Sequence, residues 1–198
     1  MRRQLPSIHC FSGYDIFCLL EYHAQTKPDK PFLIWEPFDD NSSISERTWS
    51  YKKFTLCALQ IAAGLNVRGV GRGDKIIIHM ENCIEMLLGI FACARIGAIA
   101  VVTNSRSSED ELGYFVEHSE AIGAISQPKF AEMMSRAGKA LSLVVITNSD
   151  THEDNYVPIK SDSSFNALFN KSGDLPPRII DSNATCVIFY TSGTTARP

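Results

Sequence analysis

The spacing of apolar residues changes from helical to strand-like several times along the chain. Between residues 50 and 65, apolar side chains recur about every 3.6 positions, which predicts an amphipathic helix with Ser50 as its N-cap. Farther on, short apolar runs such as 75–80 and 98–103 alternate with segments of helical spacing. This alternation predicts an α/β fold, with a layered, mostly parallel sheet and helices on both faces.

The same pattern predicts the bounds of the individual elements. The predicted helices cover 13–25, 50–65, 82–97, 107–119 and 128–138. The predicted strands cover 32–36, 46–50, 75–80, 98–103, 121–126, 141–147 and 185–190, and the second is expected to pair back onto the first. Asn82 and either Ser107 or Ser108 are expected N-caps, because short polar side chains accept hydrogen bonds from the first turn of a helix. Residues 148–177 are polar and irregular, with a short helix expected around 164–170.

Composition and charge narrow the class of protein. Of the 198 residues, 44% are hydrophobic and 21% are charged, and the formal net charge is −3, as in ordinary globular proteins. The chain has no basic stripe, so nucleic acid is not an expected partner. Glu85 and Arg95 interrupt the most apolar stretch, 84–102, so a buried helix and strand explain it better than a transmembrane segment. The six cysteines form no CxxC pair and the N-terminus has no signal-peptide pattern, which favours a cytoplasmic protein.

A run of small polar residues follows the last predicted strand. These residues are Thr191, Ser192, Gly193, Thr194 and Thr195. In open α/β sheets, ligands bind outside the carboxyl ends of the strands. Hydroxyl groups and the backbone N–H groups of a glycine-containing loop are suited to bind phosphate oxygens. The run therefore predicts a phosphate-binding loop, with an ordinary Ser/Thr-rich turn as the alternative.

Other motifs point away from common catalytic sites. The chain has no Gly-Lys pair, which excludes the usual Walker loop GxxxxGK[ST]. The glycine-rich stretch 69–75 precedes a strand and lacks GxGxxG spacing, so a helix stop and a turn are expected there. No GxSxG motif is present, and residues 152–154 do not belong to an HExxH motif. His79 and His118 are interpreted as structural, so no catalytic residue and no metal ligand are assigned in this chain.

The stretch YTSGTTARP, residues 190–198, resembles the opening of the phosphate loop of AMP-forming acyl-CoA synthetases, members of the acyl-adenylate-forming superfamily. Tyr190, the five residues of the polar run and Pro198 match the family pattern. Ala196 stands where the family usually has glycine, and the lysine expected after the proline is not in this chain. The resemblance covers nearly all of 14–198, and its further matches are Gly71, Gly73, Asp74, Asn82, Glu85, Gly97, Ala98 and Asn104. Within the superfamily, the chain is most similar to crotonobetaine/carnitine-CoA ligases.

The resemblance implies a fold, an activity and a set of ligands. It implies that residues 1–198 form the N-terminal part of the large AMP-binding (adenylation) domain, truncated within the phosphate loop and without the C-terminal domain. The family joins a carboxylate to ATP, giving an acyl-adenylate and pyrophosphate, and then transfers the acyl group to coenzyme A, with Mg²⁺ accompanying the nucleotide. The resemblance also implies that the β- and γ-phosphates are bound by Thr191, Ser192, Gly193, Thr194 and Thr195. The other binding motifs lie beyond Pro198, so the 198-residue chain is expected to be inactive alone.

Further expectations and two alternatives follow from the same residues. An unpaired last strand would favour self-association, so a homodimer or an aggregation tendency is expected. The first alternative is a nucleotide-binding or interaction module that is complete at this length. The second is an adenylating enzyme of the same superfamily with an acceptor other than coenzyme A.

Overall fold

The computed structural model describes residues 13–34, 48–147, 165–170 and 175–190. Within these ranges the helices are α1 (Ile16–Thr26), α2 (Tyr51–Val67), α3 (Ile84–Ile96), α4 (Glu109–Ser119) and α5 (Ala131–Ala137). The strands are β1 (Pro31–Ile34), β2 (Thr48–Ser50), β3 (Lys75–His79), β4 (Ile99–Thr103), β5 (Gly123–Ser126), β6 (Leu143–Ile146) and β7 (Val187–Phe189). Short 3₁₀ helices cover Pro128–Phe130 and Phe165–Leu168.

The central sheet is parallel. Its strands lie in the order β6-β5-β3-β4-β7, and each pairing between neighbours is parallel. β1 and β2 form a separate antiparallel pair in which Leu33 lies opposite Trp49. The mostly parallel sheet and the return of the second strand onto the first are therefore confirmed. The remaining parts of those two predicted strands, 35–36 and 46–47, lie outside the described residues.

Helices pack on both faces of this sheet. Ile76 and Ile78 of β3 belong to a cluster with Phe54 of α2, whereas Ile77 belongs to a second cluster with Leu112 of α4. Successive side chains of a strand point to opposite faces, so the two clusters lie on opposite sides of the sheet. The prediction of helices on both faces is confirmed.

The glycine-rich stretch before β3 is a turn. Gly69 and Gly73 have φ values of +88° and +84°, a backbone region that glycine adopts without a Cβ clash. The carboxylate oxygen Oδ2 of Asp74 accepts the N–H of Gly71 at 2.8 Å and closes the turn. The expected helix stop and turn are confirmed.

Two of the expected N-caps are present, and one is wrong. Oγ of Ser50 accepts from the N–H of Lys53 at 3.2 Å, and Ser108 forms a capping box with Glu111 at the start of α4. α3 does not begin at Asn82: Cys83 holds the N-cap position and makes no capping hydrogen bond through its side chain. Cys83 is buried, with its Sγ 3.4 Å from Sδ of Met80. Packing, rather than a polar cap, therefore sets the start of α3.

Two other predicted helices are shorter than expected. The segment 128–138 begins as a 3₁₀ helix and becomes α5 only at Ala131. The short helix expected around 164–170 is the 3₁₀ helix Phe165–Leu168. That helix packs closely on α2, because a Cβ built on Gly64 would lie 2.0 Å from the carbonyl oxygen of Leu168. Most of the remaining residues of 148–177 lie outside the described residues.

Candidate functional site

The last strand brings the chain to the carboxyl edge of the sheet. β7 pairs in parallel with β4, with Ile188 opposite Val101. The chain therefore leaves Phe189 at the edge where the other parallel strands also end. Thr191, Ser192, Gly193, Thr194 and Thr195 lie outside the described residues, so their role in phosphate binding stays a prediction.

Tyr190, which immediately precedes the predicted loop, is held against α4. Its hydroxyl lies 2.7 Å from Nδ1 of His118, and its ring centroid lies 4.3 Å from that of Phe115. Partial burial, and to a smaller extent Tyr114, raise the pKa of Tyr190. The chain thus enters the predicted loop from a residue fixed by a hydrogen bond and by ring packing.

The winding of the sheet changes direction between β3 and β4. α3 follows β3 and packs in the cluster with Phe54, whereas α4 follows β4 and packs in the opposite cluster with Leu112. Because the two connections leave neighbouring strands toward opposite faces, a crevice opens between their carboxyl ends. Open α/β sheets bind ligands at this position.

A cleft of about 520 Å³ lies at this crevice. Glu81 and Asn82 line it after β3, Asn104 and Arg106 line it after β4, and Phe189 of β7 closes one side. The carboxylate of Glu81 pairs with Lys129 at 2.6 Å, and Oδ1 of Asn104 accepts the backbone N–H of Arg106 at 2.9 Å. The cleft therefore combines polar groups of both signs with an apolar wall next to the strand that leads into the predicted loop.

A row of buried polar side chains crosses the sheet beside this cleft. His79, Thr103 and Ser126 lie level with one another at the ends of β3, β4 and β5, respectively. Oγ of Ser126 donates to the carbonyl of His79 at 2.6 Å, and the hydroxyl of Thr103 donates to the carbonyl of Ile78 at 3.3 Å. The oxygen of Thr103 is then left to accept from Nδ1–H of His79 at 2.9 Å, which assigns the proton to Nδ1.

His79 is held as a neutral imidazole. Its side chain is fully buried, and the ring of Phe130 meets it edge-on with centroids 4.7 Å apart. Burial lowers the pKa of His79 to about 4. Its Nε2 has no hydrogen-bond partner among the described residues. These surroundings fit the interpretation of His79 as a structural residue that links three strands.

The described residues contain neither a candidate metal-binding cluster nor a candidate membrane-spanning helix. Within the described ranges, no group of three or more His, Cys, Asp and Glu side chains could hold a metal ion. In the same ranges, no helix has both the length and the apolar character needed to cross a membrane.

Two residues of the cleft, Glu81 and Arg106, were not among the predicted site residues. Glu81 lies two residues after the end of β3, and Arg106 lies three residues after the end of β4. The rule that located the Ser/Thr-rich run, namely that ligands bind at the carboxyl ends of strands, could have located these residues too. It could not show that β3 and β4 are the neighbours between which the crevice opens.

Comparison with known proteins identifies the family. The family model "AMP-binding enzyme" matches residues 20–198. The chain belongs to the AMP-binding enzyme family. The match runs through the predicted phosphate loop of this AMP-binding chain and confirms the resemblance drawn from the sequence.

Curated relatives of this AMP-binding chain include two kinds of CoA ligase. The acetyl-coenzyme A synthetase of Thiobacillus denitrificans is 37% identical over 124 residues, which are 63% of this chain and 18% of the relative. The crotonobetaine/carnitine–CoA ligase of Escherichia coli (strain SE11) is 30% identical over 138 residues, which are 66% of this chain and 25% of the relative. The chain thus spans a quarter or less of the length of both relatives.

Solved structures show the same fold as this AMP-binding chain. The anthranilate CoA ligase AuaEII, solved in complex with anthranoyl-AMP, superposes with a TM-score of 0.74 at 21% identity. The superposition covers 93% of this chain and 33% of that protein. The sheet and its helices therefore have the fold of the N-terminal domain of acyl-CoA ligases.

Proposed function

We propose that this chain belongs to an ATP-dependent carboxylate–CoA ligase, an acid–thiol ligase of the AMP-forming acyl-CoA synthetase type. Residues 1–198 would form the N-terminal part of its AMP-binding domain. The observation that carries the proposal is the family match over 20–198. The acetyl-CoA and carnitine–CoA ligases among the relatives support a carboxylic acid, ATP and coenzyme A as the substrates.

The reaction has two steps in which the protein needs no nucleophile of its own. A carboxylate oxygen attacks the α-phosphorus of ATP, so that an acyl-adenylate forms and pyrophosphate leaves. The thiol of coenzyme A then attacks the acyl carbonyl, and AMP leaves as the thioester forms. Catalysis of this kind depends on positioning the reactants and on stabilising charge on the leaving group.

The Ser/Thr-rich run would bind the leaving end of the nucleotide. We assign Thr191, Ser192, Gly193, Thr194 and Thr195 to the β- and γ-phosphates, because the run offers hydroxyl and backbone N–H donors without bulky side chains. Its attachment to Tyr190, which α4 holds in place, supports this assignment. The cleft beside Phe189 supports the assignment too, because it leaves room for a ligand next to the strand that leads into the run.

Magnesium would enter with the nucleotide. The described residues offer no cluster of carboxylate or imidazole ligands that could hold the ion. We therefore assign no Mg²⁺ ligand in this chain. Bound to the phosphates, the ion would neutralise part of their charge.

The proposed acid is carnitine, crotonobetaine or a related carboxylate. This choice rests on the similarity of 30% over 138 residues to the crotonobetaine/carnitine–CoA ligase. Acetate is the competing candidate, because the acetyl-coenzyme A synthetase is 37% identical over 124 residues. A cytoplasmic location accompanies the proposal as an expectation.

A substrate panel tests the proposal. The protein would be a chain of the relatives' length that contains these 198 residues, and exchange of labelled pyrophosphate into ATP would report adenylate formation. We expect exchange with carnitine or crotonobetaine and weaker exchange with acetate or fatty acids. Exchange with acetate alone would reassign the acid, and no exchange with any acid would contradict the proposed ligase. Thioester formation with coenzyme A distinguishes this ligase from an adenylating enzyme with another acceptor.

The 198-residue chain alone gives a second test. We expect it to form no adenylate and to bind ATP weakly or not at all. Tight ATP binding in calorimetry would instead favour a complete nucleotide-binding module. The expected homodimer is a separate prediction, supported by the 67% exposure of Phe189 on β7. A clean monomer in light scattering at high concentration would contradict it.

A further inference from the structure

A second cavity lies at the opposite end of the sheet from the cleft beside Phe189. It has a volume of about 190 Å³ and is lined by the turn before β3, the end of α3 and the segment before β7. Arg72, Arg95 and Arg178 contribute their side chains to it, one from each of these three segments. With liquid water occupying about 30 Å³ per molecule, the space suffices for a small organic anion.

The three guanidinium groups are not equally neutralised. Arg178 forms ion pairs with Asp15 and with Glu21, the second at 2.6 Å. Arg72 lies 3.3 Å from a carboxylate oxygen of Asp181. Arg95 has no carboxylate in contact among the described residues, and its Nη1 donates to the carbonyl of Pro176 at 3.4 Å.

Arg95 and Arg178 also have donors that the described residues leave unused. The Nε atom of each is buried and has no hydrogen-bond partner within the described ranges. A buried donor without a partner costs about 1–3 kcal/mol, so such atoms normally find an acceptor. Burial, opposed by Glu21 and reinforced by Arg178, lowers the pKa of Arg95 from its ordinary value.

The end of α3 does not account for Arg95. A cation in the last turn often neutralises the free carbonyls of a helix. Here the carbonyls of Ala94 and Cys93 already accept from the backbone N–H groups of Gly97 and Ala98, at 3.3 and 3.0 Å. The hydrogen bond of Arg95 goes to the carbonyl of Pro176, across the cavity wall, and not to its own helix.

We infer that this cavity binds a small carboxylate through Arg95, as a site separate from the cleft at the carboxyl edge. A guanidinium group presents its N–H donors in a fork that matches the two oxygens of a carboxylate. The ligand would pair with Arg95, because Arg95 is the one guanidinium of the three without a carboxylate in contact among the described residues. Arg72 and Arg178 form the sides of the site and keep their own carboxylates.

Titration of this chain with sodium acetate tests the inference, with sodium chloride at equal ionic strength as the reference. NMR of the arginine Nε–H groups gives the readout, and Arg95→Lys assigns the signal. We expect the Arg95 signal to move downfield and saturate with acetate and to stay in place with chloride. The Arg68 signal serves as the internal control, because Arg68 also donates to backbone carbonyls but lies outside the cavity.

Thermal unfolding in the same buffers separates this site from any acid-binding site elsewhere. Acetate should raise the midpoint of the wild-type chain and of Arg68→Gln, while Arg95→Lys, which keeps the charge but loses the fork, should bind acetate at least tenfold more weakly. A linear, unsaturated response of the Arg95 signal would overturn the inference. An equal rise of the midpoint in Arg95→Lys would overturn it too.

Discussion

The two faces of the parallel sheet differ in the kind of side chains that pack on them. On the face covered by α1, α2 and α3, the rings of Phe32, Phe54 and Phe91 pack on one another with centroids 4.7 to 5.8 Å apart. On the face covered by α4 and α5, the apolar cluster gives way to the polar side chains of His79 and Thr103 at the strand ends. The first face supplies most of the apolar burial, and the second face combines packing with the polar end of the sheet.

This difference shows how one sheet can be stable and still carry a ligand edge. Apolar burial stabilises the fold in proportion to the area removed from water. Burying polar groups near the ligand edge is costly unless hydrogen bonds compensate them. In the row through His79, Thr103 and Ser126, Nδ1 of His79 and both hydroxyl groups are paired, whereas Nε2 of His79 has no partner among the described residues. We therefore expect substitutions on the first face to act through packing, and substitutions on the second face to act through hydrogen bonds and charge.

The largest effect is expected at Gly64, on the first face. In Gly64→Ala the new Cβ would lie 2.0 Å from the carbonyl oxygen of Leu168, so α2 and the 3₁₀ helix Phe165–Leu168 must separate. We expect a loss of about 3 kcal/mol in the free energy of unfolding, at the upper end of overpacking costs. Urea denaturation measures it, and an unchanged midpoint would show that the two helices can part without cost.

The next effect is a pH dependence on the second face. The unfolded chain binds a proton on His79 near pH 6.5, but the folded chain resists it until about pH 4, because burial disfavours the imidazolium. Between pH 6.5 and about 4, the unfolded state therefore binds more protons than the folded state. The stability that neutral His79 contributes above pH 6.5 is lost progressively as the pH falls to about 4. The loss amounts to about 3 kcal/mol.

Denaturation midpoints measured from pH 7 to pH 4 test this dependence. In His79→Gln the slope between pH 6.5 and 4 should flatten, since the titrating group is gone. His118→Gln removes a surface histidine and should retain the slope. An identical slope in wild type and His79→Gln would assign the acid sensitivity to other groups.

A smaller effect is expected at the start of α4. Ser108 accepts from the N–H of Glu111 at 3.3 Å, and the carboxylate of Glu111 accepts from the N–H of Ser108 at 2.8 Å. Ser108→Ala should cost about 1 kcal/mol in the free energy of unfolding, as loss of an N-cap usually does. Ser107→Ala is the matched control and should cost much less; equal losses would mean that Ser108 is not the functional cap.

The smallest effect is a gain of stability on the second face. Gly113 lies inside α4, and a Cβ built there meets no atom within 4 Å. Gly113→Ala should stabilise the chain by about 0.5–1 kcal/mol, because alanine loses less conformational freedom in a helix. The contrast with Gly64→Ala makes the pair informative. A loss of stability in Gly113→Ala would mean that the outer surface of α4 is more crowded than the structure shows.

Local sequence signals gave the correct type of nearly every element. The capping residues Ser50 and Ser108 were predictable because each makes hydrogen bonds with its own first turn. Asn82 was wrong because the N-cap position of α3 is held by the buried Cys83, which packs against Met80 and makes no capping hydrogen bond, so the polar-cap rule does not apply there. The prediction of an α-helix over 128–138 was wrong for its first turn, where the chain forms a 3₁₀ helix after Gln127.

The candidate site was only partly predictable for a similar reason. The Ser/Thr-rich run was found from its composition and its place after a strand. The cleft residues Glu81 and Arg106 belong to loops 25 residues apart in the sequence, and they meet only because β3 and β4 are neighbours. The arginines 72, 95 and 178 likewise lie far apart along the chain and line one cavity.

The sequence by itself determined the alternation of strands and helices, the parallel sheet and membership of the AMP-binding family. These properties depend on the periodicity of apolar residues and on short motifs, which act over a few positions of the chain. The tertiary structure alone decided the strand order, the crevice between β3 and β4, the neutral state of His79 and the grouping of the three arginines. Those features depend on which distant segments are brought together and on how far they exclude water, and a linear pattern does not contain that information.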